Sequence, residues 1–444
     1  MKAIIAAVVI GLVAVSAAAQ DVAARMDQVV QSYVPARFMG TVLVARGDAV
    51  VLSKAYGVAN LEWNIPNTPA TKFRLGSLTK QFTAASILLL EERGKLKVDE
   101  PVKTYLPDAP AAWDKITIFN LLTHSSGIPN FTSFPDYAAT QAFATPVEKI
   151  VARFRDKPLD FAPGEKMIYS NSGYLLLGYL IERISGGSYA TFVQDNIFTP
   201  LGMKDSGYDS NSAVILRRAS GYAPSPTGPV NAGFIHMSIP HAAGALYSTT
   251  EDLLKWQQAL NGARVVSAAS LQKMTTPFKG DYAFGLVVRT VNGRKMIAHG
   301  GGIEGFNTAM SYFPDEKLSI VVLSNINGPT ADELGSKLEA LAHGGTVTLP
   351  TERKETTVAA SLLASYVGTY ELRPGVAVSI TVDGNQLSGQ LTGQQKFPIY
   401  AESDTLFFFK VVDAVIEFDK DARPAAYLTL RQNGRELRGT RKNN

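Results

Sequence analysis

Ser77-Leu78-Thr79-Lys80 places a hydroxyl and an amine three residues apart. On a helix, side chains at i and i+3 share a face. A serine is a weak nucleophile until a base takes its proton, and a lysine can be that base once burial lowers its pKa. At a helix N-terminus the dipole and the free backbone N–H groups also stabilise developing negative charge. Gly76 allows a tight entry to such a turn. The spacing alone is a weak signal, because Ser270-Leu271-Gln272-Lys273 repeats it. That second copy soon reaches Thr275-Thr276-Pro277 and reads as a solvated helix face.

Tyr169-Ser170-Asn171 is a second candidate. A phenol beside a cationic lysine loses its proton more readily and can shuttle it to a leaving group. Asn171 could hold Lys80 or a substrate carbonyl; a buried tyrosine with an Asx turn is the structural alternative. The third candidate is His299-Gly300-Gly301-Gly302. Gly300 to Gly305 fits the dinucleotide pattern G-x-G-x-x-G, but it leads into a β run where that motif needs a helix. The glycines read better as an edge strand that lets substrate backbone approach. The Gly302 N–H would then complete an oxyanion hole with that of Ser77. His299 could bind a carboxylate, steer a proton or simply pack.

The combination Ser77-x-x-Lys80, Tyr169-x-Asn171 and His299-x-Gly301, in that order, resembles the serine β-lactamase and penicillin-binding-protein superfamily. The likeness is closest to its class C-like, D-aminopeptidase/carboxypeptidase-like branch, peptidase family S12. It spans roughly residues 22–343. Phe73-Arg74-Leu75-Gly76-Ser77, Leu121-Leu122-Thr123-His124-Ser125-Ser126-Gly127 and His299-Gly300-Gly301-Gly302-Ile303-Glu304-Gly305-Phe306 carry it further. The resemblance implies an α/β three-layer sandwich with an antiparallel sheet flanked by helices and an all-helical insertion. It also implies Ser77 as acylated nucleophile, Lys80 as its base, Tyr169 as general acid/base and Asn171 as a substrate-orienting group. The family usually has Lys-Thr-Gly or Lys-Ser-Gly where this chain has His299-Gly300-Gly301. That departure disfavours a true β-lactamase, since the lysine gives a substrate carboxylate a firm positive partner.

Around these motifs, Met39–Ala45 and Ala49–Gly57 predict a hairpin, Ser77 to Arg93 a helix ending at Gly94, and Thr308–Phe313 with Leu318–Leu323 a second hairpin. Residues 346–360, rich in Pro, Thr and charge, read as a linker after a hydrolase domain of 20–345. Short β runs then fill 361–444, with turn signals at Asp383-Gly384 and Asn433-Gly434. They predict an antiparallel β-barrel resembling the lipocalin-like domain appended to some members of the branch.

Residues 1–19 have one positive charge, an apolar stretch and a small-x-small end at Ala17-Ala18-Ala19, the pattern of a cleaved secretory signal. The expected location is therefore periplasmic or secreted, with no membrane span once the leader is removed. The 444 residues hold no cysteine, which excludes a thiol nucleophile and a disulfide framework. None of the five histidines forms H-E-x-x-H, so no metal or other cofactor is expected. A net charge of +4 from 43 basic and 39 acidic residues gives no footprint for nucleic acid. The sequence leads to an exported serine hydrolase acting through an acyl-enzyme on peptide or amide bonds of a small-molecule or peptide substrate. A carboxylesterase of the same fold is the alternative, ahead of a β-lactamase or a non-catalytic peptide receptor. Nothing in the sequence sets an oligomeric state.

Overall fold

The computed structural model describes residues 17–34, 37–410, 414–432 and 435–442. Most of the leader and the Asn433-Gly434 turn lie outside the described residues. Contacts divide the chain into two compact units, 1–327 and 328–444. The division falls upstream of residue 345, so helix Thr330–Ala342 groups with the second unit. Residues 346–359 hold one short 3₁₀ turn, Pro350–Glu352.

The first unit is built on a six-stranded sheet. Its strands are β1 (Gly40–Arg46), β2 (Ala49–Tyr56), β3 (Val287–Val291), β4 (Arg294–Ile303), β5 (Phe306–Phe313) and β6 (Leu318–Ser324). They run in the order β3-β4-β5-β6-β1-β2, antiparallel throughout. Every residue of β6, and all of β1 but Arg46, is buried. Continuous burial means that both faces of the central strands are covered, which explains their unbroken apolar runs. Helix α1 (Ala17–Gln31) packs on β2, while Thr250–Asn261 packs on β1 and β6.

A helical region supplies the rest of this unit's core. Its centre is α2 (Thr79–Glu92), against which α3 (Asn171–Ser185) packs. Periodicity alone suggests one apolar face for α2, but every residue from Thr79 to Leu90 is buried. A helix covered on all sides can hold even a lysine away from water. Gly94 closes the helix at φ +68°, a conformation that glycine adopts without steric cost.

In the second unit, eight antiparallel strands from Gly368–Arg373 to Arg435–Arg441 close into a barrel in sequence order. Closure runs through Tyr370↔Arg441 and Glu371↔Thr440. Its core is packed with aromatic side chains: Tyr366 stacks on Phe418 at 4.1 Å, with Phe407 edge-on to both. Strand Phe397–Ala401, which pairs with Gln386–Leu391 and Leu406–Phe408, is flanked by no turn signal as clear as Asp383-Gly384.

Candidate active site

Ser77 sits where a strand becomes a helix. The two-residue strand Phe73–Arg74 pairs with Leu246–Ser248, and the chain then turns through Gly76 at φ +54° into a 3₁₀ turn, Gly76–Leu78, that runs on as α2. A Cβ on Gly76 would lie 2.9 Å from the Gly302 backbone nitrogen, so the turn and β4 meet backbone to backbone. On Gly301 a Cβ would lie 2.1 Å from the Leu75 carbonyl oxygen and 2.4 Å from Thr308 Oγ1. Thr308 in turn donates to the Leu75 carbonyl at 2.9 Å. Gly301 therefore packs the sheet onto the Ser77 turn. Gly302 faces the cavity together with Ser77. Strand β3 pairs with β4 only over Arg294–Ala298, which leaves the edge from His299 to Ile303 clear of β3.

Gly301→Ala is expected to destabilise the protein by about 2 kcal/mol or more, because backbone and a buried threonine must give way together. Thermal unfolding measures this, and an unchanged melting temperature would contradict the packing role.

Lys80 is fully buried. Its Nζ lies 3.1 Å from Ser77 Oγ, 2.9 Å from Asn171 Oδ1 and 2.8 Å from the Ala243 carbonyl oxygen. Burial pushes its pKa well below the ordinary lysine value, with no carboxylate among the causes to oppose it. A neutral amine has two N–H donors and one lone pair. In that form Asn171 Oδ1 and the Ala243 carbonyl, which can only accept, take both donors, and the lone pair is free for the Ser77 hydroxyl. Asn171 is itself fixed: its Nδ2 donates to Thr132 Oγ1 at 3.1 Å and its backbone N–H to Asn130 Oδ1 at 3.0 Å.

The Tyr169 ring centroid lies 4.8 Å from Lys80 Nζ. The sequence suggested a phenol made more acidic by a cationic lysine. The structure shows the reverse: burial raises the Tyr169 pKa, only partly opposed by a hydrogen bond with Ser77. The tyrosine is backed by His124, whose ring is 4.3 Å away and whose Nδ1 accepts from the Ser170 N–H at 3.2 Å. His124 thus holds the loop that carries Tyr169.

His299 is buried behind the site. Its Nδ1 donates to the Gly300 carbonyl oxygen at 2.6 Å, which leaves Nε2 to accept from the Tyr282 hydroxyl at 3.1 Å. Burial, with Lys80 adding to it, pushes its pKa down to about 4. It is neutral at physiological pH with both nitrogens engaged, so it does not offer a substrate carboxylate the positive partner considered above. The second Ser-x-x-Lys copy, expected on a solvated helix face, has its lysine exposed and paired with Glu91 at 2.9 Å but its serine, Ser270, buried in helix Ala268–Met274.

Ser77, Asn171 and Gly302 line one cavity of about 360 Å³, walled by Phe131, Tyr137 and Ile235. Sequence reasoning did not single out Asn130, Thr132, Tyr282 or the Ala243 carbonyl. A backbone carbonyl leaves no trace in residue type, and the other three act through partners distant in sequence.

The family model described as Beta-lactamase matches residues 19–344. The chain belongs to the Beta-lactamase family. The expected enzyme class, a serine hydrolase, stands with that membership. A second model, described as Domain of unknown function (DUF3471), matches residues 352–441, the stretch that forms the barrel. The chain is 29% identical to penicillin-binding protein 4* of Bacillus subtilis over 91% of this chain and 95% of that one. It is 27% identical to a D-aminopeptidase of Gluconobacter oxydans, over 68% of this chain and 59% of that protein's length. The octameric penicillin-binding protein homologue from Pyrococcus abyssi superposes with a TM-score of 0.67 at 26% identity, covering 95% of this chain and all of that one.

Proposed function

We propose that this protein is an exported serine peptidase or amidase, periplasmic or secreted, that works through an acyl-enzyme on Ser77. The observation that carries the reading is the buried Lys80 amine, held by two further acceptors 3.1 Å from Ser77 Oγ, with burial pushing its pKa well down. Lys80 takes the Ser77 proton as Oγ attacks the substrate carbonyl. The carbonyl oxygen, now negative, rests against the backbone N–H groups of Ser77 and Gly302. Tyr169 keeps its proton at rest and gives it to the departing nitrogen, and water then releases the acyl group. The likeness to a D-aminopeptidase supports amide bonds as the target class. The leader pattern in residues 1–19 supports export.

A fluorophosphonate probe applied to the exported fraction tests both parts. It is expected to label a protein beginning at Gln20 and to leave Ser77→Ala unlabelled. Labelling that survives the substitution overturns the assignment of Ser77, and a labelled protein still beginning at Met1 overturns cleavage.

A further inference from the structure

Glu304 carries the only charged side chain among the described residues lining the Ser77 cavity. It sits in the two-residue turn between β4 and β5, directly after the glycines that pack on the Ser77 turn. Asn327 pins this turn: it accepts from the Gly305 N–H at 2.7 Å and donates to the Ile303 carbonyl at 2.9 Å and to Asn307 Oδ1 at 3.0 Å. The backbone from which the Glu304 side chain projects is thus fixed beside the cavity before any ligand arrives.

Among the described residues, Glu304 makes no hydrogen bond or ion pair. The cations closest to hand are already committed. Glu304 also borders an adjoining cavity that contains Arg74 and Arg218, but both arginines are held on the fully buried Asp209, at 2.6 and 2.5 Å. Lys80 lies away from water on its own acceptors, with its pKa held well below the ordinary lysine value, and His299, pushed down to about 4, carries no charge at neutral pH. The field of Glu304 does reach into the cavity, where it adds to burial in pushing the Tyr137 phenol up to about 12. A half-buried carboxylate without a partner, beside apolar walls, favours a ligand that brings a positive charge and rejects one that brings a second negative charge.

We infer that Glu304 is a specificity-determining residue that receives a substrate ammonium group, so that the Ser77 cavity selects cationic over carboxylate-bearing substrates. The inference rests on the hydrolase reading for what is cleaved, but the recognition itself requires only the cavity. An amide substrate with a free amine near the scissile carbonyl meets the requirement. Substrates whose binding needs a positive pocket for a carboxylate do not.

A charge series with one scissile bond tests it: alanyl, N-acetylalanyl and N-succinylalanyl p-nitroanilides, in both enantiomers. The wild-type enzyme is expected to favour the free amine over the acetyl compound in kcat/KM, mainly through KM, and to turn over the succinyl compound least. In Glu304→Gln the amine-to-acetyl ratio should fall by about tenfold or more. Because each ratio is taken within one variant, partial loss of folded protein cancels. Glu304→Lys should shift the preference toward the succinyl compound. The same series is measured as binding to Ser77→Ala by calorimetry, which removes the chemistry. A wild-type ratio near one, or a ratio that Glu304→Gln leaves unchanged in kinetics and in binding, overturns the assignment. A failure of Ser77 to take the fluorophosphonate label, with ammonium-selective binding retained, overturns only the hydrolase reading.

Discussion

Lys80→Met is expected to lower acylation on both anilides and esters by about a thousandfold or more, the scale seen when a serine loses its activating base. Methionine matches the lysine stem in length and lacks the lone pair, so Ser77 keeps its position but not its proton acceptor. The substitution also has a consequence for stability that a surface lysine would not show. In the unfolded chain Lys80 is protonated up to about pH 10.4, whereas burial holds its folded pKa well below that value. Between the two, the unfolded state binds one more proton, so the stability of the wild type rises with pH across that window, by up to about 1.4 kcal/mol per pH unit. Lys80→Met should remove this rise. Urea unfolding of both proteins from pH 7 to 10 measures it, and equal slopes would show that Lys80 stays charged when folded. A variant that keeps wild-type acylation rates would remove Lys80 from the mechanism.

Tyr169→Phe should separate substrates by leaving group. With a p-nitrophenyl ester the phenolate departs without help, and the variant should lose little. With an anilide or a peptide the nitrogen must be protonated as it leaves, and the loss should be about a hundredfold to ten-thousandfold in kcat, the usual worth of a positioned general acid. The raised pKa of Tyr169 sets this direction, because a phenol that holds its proton is a poor base but is available as an acid. An equal loss on both substrates would point to Tyr169 as the base for Ser77 and return Lys80 to a positioning part. Phenylalanine preserves the ring that packs 4.3 Å from His124, so the loop should stay in place.

Much of the fold is carried by local patterns. The hairpin of β1 and β2, the helix from the Ser77 turn to Gly94, and most barrel strands follow from apolar periodicity and turn residues. These are short-range preferences that a single segment expresses on its own. The barrel strand Phe397–Ala401 was not legible, since its pairing partners supply what its own residues do not. The barrel's filled aromatic core was equally hidden, because alternation shows which side chains face inward but not whether they meet.

In the site, residue type and spacing pointed to Ser77, Lys80, Tyr169 and Asn171, which lie close together in the fold. The structure places Ser77, Asn171 and Tyr169 around the Lys80 amine. Sequence alone did not determine the protonation states. Those depend on burial from all sides: α2 is enclosed by elements far away in the chain, which pushes the Lys80 pKa well down, and burial of Tyr169 pushes its own up. The same desolvation makes His299 an uncharged, fully bonded ring. The glycines beside it were readable as a demand for close approach, but only the tertiary structure shows that for Gly301 the approaching backbone is that of the Ser77 turn. Charge in the cavity was decided the same way. Sequence counts 43 basic and 39 acidic residues, while the fold pairs the nearby arginines with Asp209 and leaves one carboxylate facing the cavity. Residue identity fixed which chemistry was available, and desolvation and pairing, which need the whole chain, fixed the state in which each group is held.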